Sequence, residues 1–244
     1  MNWNTATIEL PLDRFWMSPD ENQVVEAAVS IEIARCLTQA TSVSEAVIAD
    51  ARRSLEIPPV VAHWLFGRWD VAYIARHGPW GAEASSPPLQ WMDGDSTELL
   101  GCRDQVAVAT GLVAPTNNSD TAQGAVGVPW MESVDSARLD YRFMDLAAQL
   151  KQCINSAGYS VNASADGGGV VIESGWTDEQ QQRAFLAEAQ CSDDMAYVQQ
   201  VGDIAAEYRL RYIGQHQAEL IEAKRVADAR VAKATEVLRG AGVL

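Results

Sequence analysis

The sequence AEAQCSDDMAYVQQVGDIAAEYRLRYIGQ, residues 187–215, decides the fold class of this chain. After Cys191 and an acidic pair, apolar side chains recur at steps of three and four residues. They are Val198, Val201, Ala205, Tyr208 and Tyr212. This spacing places them on one face of an α-helix. We therefore predict one very long helix, or two nearly continuous ones, over residues 193–238.

A similar apolar stripe continues toward the C-terminus. Its members are Leu220, Ala227, Val231, Ala234 and Leu238. Gly202 and Gly214 are positions where the segment can bend, because glycine weakens a helix. Asp193 and Asp194 lie at the predicted helix start, where carboxylates interact favourably with the helix dipole. So long a half-apolar stripe must pack either on the body of the protein or on another chain.

Helix signals recur along the rest of the chain. Ser18 and Glu21 form a capping box that opens a helix carrying Cys36. Asp70 is expected to cap a short helix that ends at Gly78. Thr177 and Gln180 form a second capping box. Further helices are predicted over residues 44–55, 97–110 and 133–157.

In the segment 133–157, Leu139, Phe143, Leu146, Leu150 and Cys153 are spaced as one buried face. The sequence SADGGGVVIES is typical of a turn followed by a short strand. The fold class is therefore mainly α: one helical domain over residues 1–244, with a long C-terminal helix and extended Trp/Pro-rich loops. The small, polar segment near 113–131 is interpreted as a flexible connection.

The charge balance argues against several partners. Eighteen Lys and Arg face 33 Asp and Glu, which gives a net charge of −15. Phosphate backbones and anionic lipid surfaces repel such a chain, so nucleic-acid binding is not expected. No apolar run approaches the ~18 residues of a membrane span. The start MNWNTATIELPLD lacks the pattern of a signal peptide, so the chain is either cytosolic or has had its signal removed.

The cysteines are the strongest indication of compartment. They lie at positions 36, 102, 153 and 191. No two are close enough for a CxxC motif, so neither a zinc knuckle nor a thioredoxin-like site is expected, and Cys191 is not expected to be a metal ligand. Two disulfides with three possible connectivities, or four buried thiols, both remain open from spacing alone.

The order of several short motifs resembles a family of uncharacterised secreted proteins and lipoproteins of actinobacteria. The motifs are LPLDRFWMSPDENQVVEAA at 10–28, RCL at 35–37, FGRWDVAYIARHGPW at 66–80, GCRDQVA at 101–107, QCINSAGY at 152–159, AQC at 189–191 and the long charged C-terminal helix. Members usually begin with an export signal or a lipid-attachment cysteine, which this sequence does not contain. Export of this chain is therefore an expectation.

The resemblance implies two disulfides and an extracellular or cell-envelope setting, and it implies no activity. We expect Cys36–Cys102 and Cys153–Cys191, because each pair joins cysteine-bearing helices that are consecutive in the chain. In the chain-entropy model each bridge stabilises the fold by roughly 4 kcal/mol.

The sequence offers little evidence for a particular reaction or for a metal site. The histidines are His63, His77 and His216, and no HExxH motif is present. No metal site and no cofactor are therefore expected. A G-x-S-x-G motif is also absent, and DGGGVV at 166–171 matches neither a P-loop nor a dinucleotide fingerprint. The acidic stretch DGDSTE at 93–98 fits helix capping better than a calcium loop.

The tryptophans form the candidate ligand-binding site. Trp64, Trp69, Trp80 and Trp91 fall within 28 residues. Their rings either stack on sugars or other ligand rings, or fill the core beneath a long loop.

The sequence as a whole favours a non-enzymatic binding or interaction module of the cell envelope or the extracellular space. Its partner would be an envelope protein or a glycan, with membrane attachment only through a removed signal or lipid anchor. The alternative is an envelope glycan- or peptide-hydrolase that uses carboxylates near the Trp cluster.

Overall fold

The structure is mainly helical, as the sequence predicts. A computed structural model describes residues 8–56, 69–77, 96–112, 133, 135–162 and 169–244. The helices are α1 (Pro19–Thr38), α2 (Glu45–Glu56), α3 (Val71–His77), α4 (Ser96–Thr110), α5 (Tyr141–Ser156), α6 (Asp178–Asp194) and α7 (Tyr197–Gly240). Within these ranges, β structure is limited to an isolated antiparallel bridge between Val161 and Val170. Among the described helices, none combines the length and apolar character that a membrane span requires.

The predicted helix starts are confirmed by their capping hydrogen bonds. The Glu21 backbone N–H donates to Ser18 Oγ at 3.2 Å, and the Ser18 N–H donates to Glu21 Oε2 at 2.7 Å. The same reciprocal pair joins Thr177 and Gln180 at the start of α6. Asp70 Oδ1 accepts from the Tyr73 N–H at 2.7 Å and so caps α3. Each cap satisfies N–H groups that have no partner inside the helix.

The predicted helix 133–157 is interrupted, which corrects one boundary. Asp140 has extended backbone angles (φ −68°, ψ 130°) and is the N-cap of α5, while residues 135–138 form a separate helical turn. Leu139 was expected on the buried face, but its side chain is 77% exposed. The reason is that the break at Asp140 resets the helical register, so that Leu139 no longer aligns with Phe143 and the buried stripe that follows it.

The C-terminal helix begins later than predicted. Asp193 and Asp194 form the last turn of α6, and Ala196 adopts a left-handed φ of 48° before α7 starts at Tyr197. The acidic pair is therefore at a helix end and not at a helix start. Further along α7, His216 departs from helical geometry (φ −125°, ψ 25°), two residues after Gly214, one of the predicted weak points.

The chain divides into two compact units, each of which draws on three separate chain segments. Unit 1 comprises Met1–Leu12, Val60–Glu83 and Pro129–Gln215, and unit 2 comprises Asp13–Pro59, Ala84–Val128 and His216–Leu244. The prediction of a single domain over residues 1–244 stays a prediction, because this division does not decide whether the units fold separately. The predicted flexible connection near 113–131 lies outside the described residues.

Unit 1 has a core built from α3, α5, α6 and the first part of α7. Helix α6 packs against both α3 and α5. The core includes Phe143, Ile154, Phe185 and Val201, which are almost completely buried. Val201 belongs to the apolar stripe of α7, so this part of the stripe packs on the body of the protein.

Unit 2 is centred on α1, which packs against α2 and α4. Ala28 and Ile31 of α1 share a buried cluster with Ala234 and Leu238 of α7. The later part of the α7 stripe is therefore also covered by the chain itself.

Both predicted disulfides are present. Cys36 and Cys102 join α1 to α4, with their Cα atoms 5.6 Å apart. Cys153 and Cys191 join α5 to α6, with a Cα–Cα distance of 5.8 Å. The first bridge lies entirely within unit 2 and the second entirely within unit 1. Each unit is thus closed by a covalent link of its own.

Candidate functional site

The Trp cluster is described in part. Trp69 is 6% exposed and belongs to the core of unit 1, together with Ile74. At this position the ring packs in the interior. Trp64, Trp80 and Trp91 lie outside the described residues, as does His63. Ligand binding by the four tryptophans therefore stays a prediction.

The other candidate metal-ligating side chains that the structure describes lie apart from one another. His216 Nδ1 lies 3.0 Å from Glu219 Oε2 at the irregular point of α7. Glu98 is exposed in the first turn of α4, whereas Asp93 and Asp95 lie outside the described residues. In the part of the chain that the structure describes, no group of three or more His, Cys, Asp or Glu side chains is arranged to hold a metal ion.

A network of charged and polar side chains lies at the start of α5 in unit 1. The Arg142 backbone N–H donates to Asp140 Oδ1 at 2.8 Å. The Arg142 guanidinium donates to both oxygens of the same carboxylate, from Nε to Oδ1 at 3.1 Å and from Nη2 to Oδ2 at 2.8 Å. The N-cap of α5 is thereby also half of a bidentate ion pair, a geometry that fixes the orientation of both groups.

The same guanidinium joins α5 to α7. Its Nη1 and Nη2 atoms donate to Glu207 Oε1 and Oε2 at 3.1 and 2.8 Å. The hydroxyl of Tyr208 donates to Asp140 Oδ2 at 3.1 Å. The guanidinium carbon of Arg211 lies 5.2 Å from the centre of the Tyr208 ring, within cation–π distance. We call Asp140, Arg142, Glu207 and Tyr208 the α5–α7 network.

The pKa values in this network follow from its hydrogen bonds. The side chain of Arg142 holds the pKa of Asp140 well below its usual range and also lowers the pKa of Glu207. The hydrogen bonds that Arg142 donates to Asp140 and Glu207 raise the pKa of its guanidinium further. Desolvation, and then the hydrogen bond to Asp140, raise the pKa of the Tyr208 phenol. Every member is thus held in the protonation state that it has at neutral pH.

This arrangement is suited to holding a surface in place and not to acid–base catalysis. A general acid needs a carboxyl group whose pKa is raised toward neutrality. Asp140 and Glu207 are shifted in the opposite direction, and both are paired with the same guanidinium. The network therefore fixes the start of α5 relative to the neighbouring part of α7.

Three exposed apolar side chains are carried by this fixed segment. Leu139, Tyr141 and Met144 are 77%, 76% and 52% exposed, and all three lie within six residues of the chain. Tyr141 and Met144 are neighbours on the helix surface, at a spacing of three residues. We call these three residues the α5 apolar surface. Large contiguous apolar patches on a protein surface commonly mark interaction sites.

Two buried charges in unit 1 were not predicted from the sequence. Glu188 and Arg209 are each 1% exposed. Glu188 Oε2 accepts from the Val170 N–H at 3.1 Å and so fixes the bridge segment against α6. The burial of Glu188 could have been predicted from its spacing in the sequence. It follows Ala184 and Phe185 by four and three residues, which places it on the apolar face of α6.

Comparison of the chain with protein-family models, with curated proteins and with solved structures gives no match. The family resemblance described above therefore remains an expectation.

Proposed function

We propose that this protein is a non-enzymatic binding module that works in the extracellular space or the cell envelope. The single observation that carries the proposal is that each compact unit is closed by its own disulfide. Disulfides form and persist in oxidising compartments and are rare in the reducing cytosol. A chain in which each of two compact units carries such a link is suited to a compartment where the links are not reduced.

The α5 apolar surface is the part of the molecule that we assign to binding. Apolar groups kept in water are unfavourable, and here they are carried by a segment that an ion-pair network holds in one geometry. A preformed surface loses little conformational freedom when a partner binds, which increases affinity. The apolar stripe of α7 is the less favoured binding face, because Val201, Ala234 and Leu238 of that stripe are completely buried within the two units.

The alternative of an envelope hydrolase gains no support from the α5–α7 network. Its carboxylates are paired and have lowered pKa values, whereas an inverting or retaining glycosidase needs one carboxyl group that remains protonated. Carboxylates near Trp64, Trp80 and Trp91 lie outside the described residues, so this alternative stays a prediction.

Two measurements test the proposal. Thiol labelling and mass mapping of the protein from fractionated source cells should find all four cysteines oxidised, in material from outside the cytosol. The purified, disulfide-bonded protein should also bind saturably to an envelope preparation of the same cells, in a manner sensitive either to protease or to glycan digestion. Free thiols in the cellular protein, or binding that never saturates, would contradict the proposal.

A further inference from the structure

The exposed side chains of α5 lie opposite its buried stripe. At 100° per residue, Tyr141 points about 160° away from Phe143 and Met144 about 160° away from Leu146. Phe143 and Leu146 are buried in the core of unit 1. Tyr141 and Met144 therefore belong to the outer face of the helix, and a partner can reach them without any opening of the core.

Carboxylates surround this apolar surface. The segment 135–145 contains three aspartates and two arginines, and Glu207 adds a fourth carboxylate through its ion pair with Arg142. The side chain of Asp135 is 59% exposed and forms a long ion pair with Arg138 at 3.9 Å, and Asp145 is exposed one turn after Tyr141. One of the two arginines, Arg142, is engaged by Asp140 and Glu207, and the side chain of the other, Arg138, is only 18% exposed. Exposed Arg211, beside Tyr208, adds a third guanidinium group. Four carboxylates therefore face three guanidinium groups around the apolar surface, and the local charge is net negative.

From these observations we propose that the α5 apolar surface docks a basic, apolar segment of another protein. The inference rests on the proposed function as a binding module and names the chemistry of its partner. Leucine-like side chains of the segment cover Leu139, Tyr141 and Met144, and its Lys or Arg side chains lie beside Asp135 and Asp145. Complementary charge also speeds association and discriminates against other partners.

The same charges argue against the other occupants of such a surface. Two copies of this chain would bring two acidic borders together, and like charges across an interface are costly. Nucleic acids and anionic lipids are repelled for the same reason. A basic segment is favoured because it covers the apolar side chains and neutralises the border at once.

The test uses the full disulfide-bonded chain and three synthetic peptides of equal length. The first alternates Leu and Lys in a helical pattern, the second has Ser in place of every Leu, and the third has Glu in place of every Lys. Binding of labelled peptide is followed by fluorescence anisotropy at about 0.15 M salt, where distant charge effects are screened. We expect the Leu/Lys peptide to bind at least tenfold more tightly than either of the other two.

The decisive variant is Leu139→Ser with Tyr141→Ser and Met144→Ser. Truncation of central apolar contacts commonly weakens binding by about tenfold or more, so the triple variant should lose at least that much affinity for the Leu/Lys peptide. The control is Val108→Ser, which alters an 82% exposed side chain of unit 2. All substituted side chains are exposed, so the fold is retained and can be verified by circular dichroism.

Four outcomes would overturn the inference, and two further outcomes separate it from the proposed function. Equal binding of the Ser/Lys peptide would show a charge effect alone, and unchanged binding by the triple variant would place the site elsewhere. Failure of the wild type to bind the Leu/Lys peptide, or a dimer that the triple substitution abolishes, would also refute it. Envelope binding that survives the triple substitution would refute this surface and leave the proposed function standing. If the triple variant loses binding of the Leu/Lys peptide but the wild type does not bind the envelope preparation, the docking surface is supported and the proposed function is refuted.

Discussion

Asp140 is held by Arg142 through three hydrogen bonds, one from the backbone N–H and two from the guanidinium. The N-cap of α5 and the ion-pair network thus share one carboxylate. Asp140→Ala removes both contributions, and we expect it to lower the free energy of unfolding at neutral pH by about 1 kcal/mol, the usual cost of losing a cap. Urea denaturation of the variant and the wild type measures this difference. Asp145→Asn, at an exposed position of the same helix, should have little effect.

The lowered pKa of Asp140 predicts a stability loss in acid. The folded state binds a proton on this group less readily than the unfolded chain, in which the pKa is near its ordinary value of 3.8. The stabilisation is therefore present above that value and is lost as the pH falls below it. Asp140→Asn keeps a capping side chain without the charge. The difference in unfolding free energy between wild type and Asp140→Asn should shrink from pH 6 toward pH 2; a constant difference would contradict the assignment.

The disulfides should contribute separately and by similar amounts. The bridges close loops with sequence separations of 66 and 38 residues, for which the chain-entropy model gives about 4 kcal/mol each. Replacing Cys36 and Cys102 by Ser, or Cys153 and Cys191 by Ser, should lower the unfolding free energy by up to this amount. Mass mapping of the non-reduced wild type checks the pairing, and a peptide that links Cys36 to Cys153 would disprove it.

Gly169 should not tolerate a larger side chain. A Cβ atom added there would lie 3.1 and 3.2 Å from the two carboxylate oxygens of Glu188, which is buried and cannot easily move away. Gly169→Ala should therefore destabilise the protein by about 1–3 kcal/mol, as overpacking of a core does. The matched control is Gly101→Ala in α4, where nothing lies within 4 Å. That substitution should stabilise the helix by up to about 1 kcal/mol, and equal effects at the two positions would refute the packing argument.

The raised pKa of Tyr197 predicts that the stability of the fold also decreases at alkaline pH. Burial, and then the charge of Glu188, raise the pKa of its phenol from 10.0 to about 12. The unfolded chain releases this proton first, so the stabilisation is present below about pH 10 and is lost as the pH rises toward 12. Tyr197→Phe should flatten the fall in unfolding free energy over this interval. Tyr141→Phe, which alters an exposed ring, should leave it unchanged; the same slope in all three proteins would contradict the prediction.

The features that sequence alone predicted are local or covalent. The capping boxes at Ser18 and Thr177 need only side chains three residues apart, so their residue types are sufficient evidence. The cysteine pairing followed from the family resemblance and from the order of the cysteine-bearing helices. Most helix boundaries were correct within a few residues, because the apolar stripes and the caps indicate the same limits.

The features that the sequence did not predict depend on tertiary packing. The break at Asp140 has no glycine or proline to announce it and is stabilised by Glu207 and Tyr208, which are far away in sequence. Ala196 adopts a left-handed conformation that its side chain does not favour, so nothing local predicts the end of α6. The α5 apolar surface is a consequence of the first break, since an uninterrupted helix would have placed Leu139 on the buried face.

The interleaved composition of the two units constrains how the chain can be made. Unit 1 needs residues up to Gln215, and unit 2 needs residues up to Leu244, including Ala234 and Leu238 of its core. Neither unit can therefore be completed while the ribosome is still synthesising the first two thirds of the chain. For the exported protein that we propose, this late completion would suit passage of the unfolded chain across a membrane before its disulfides form.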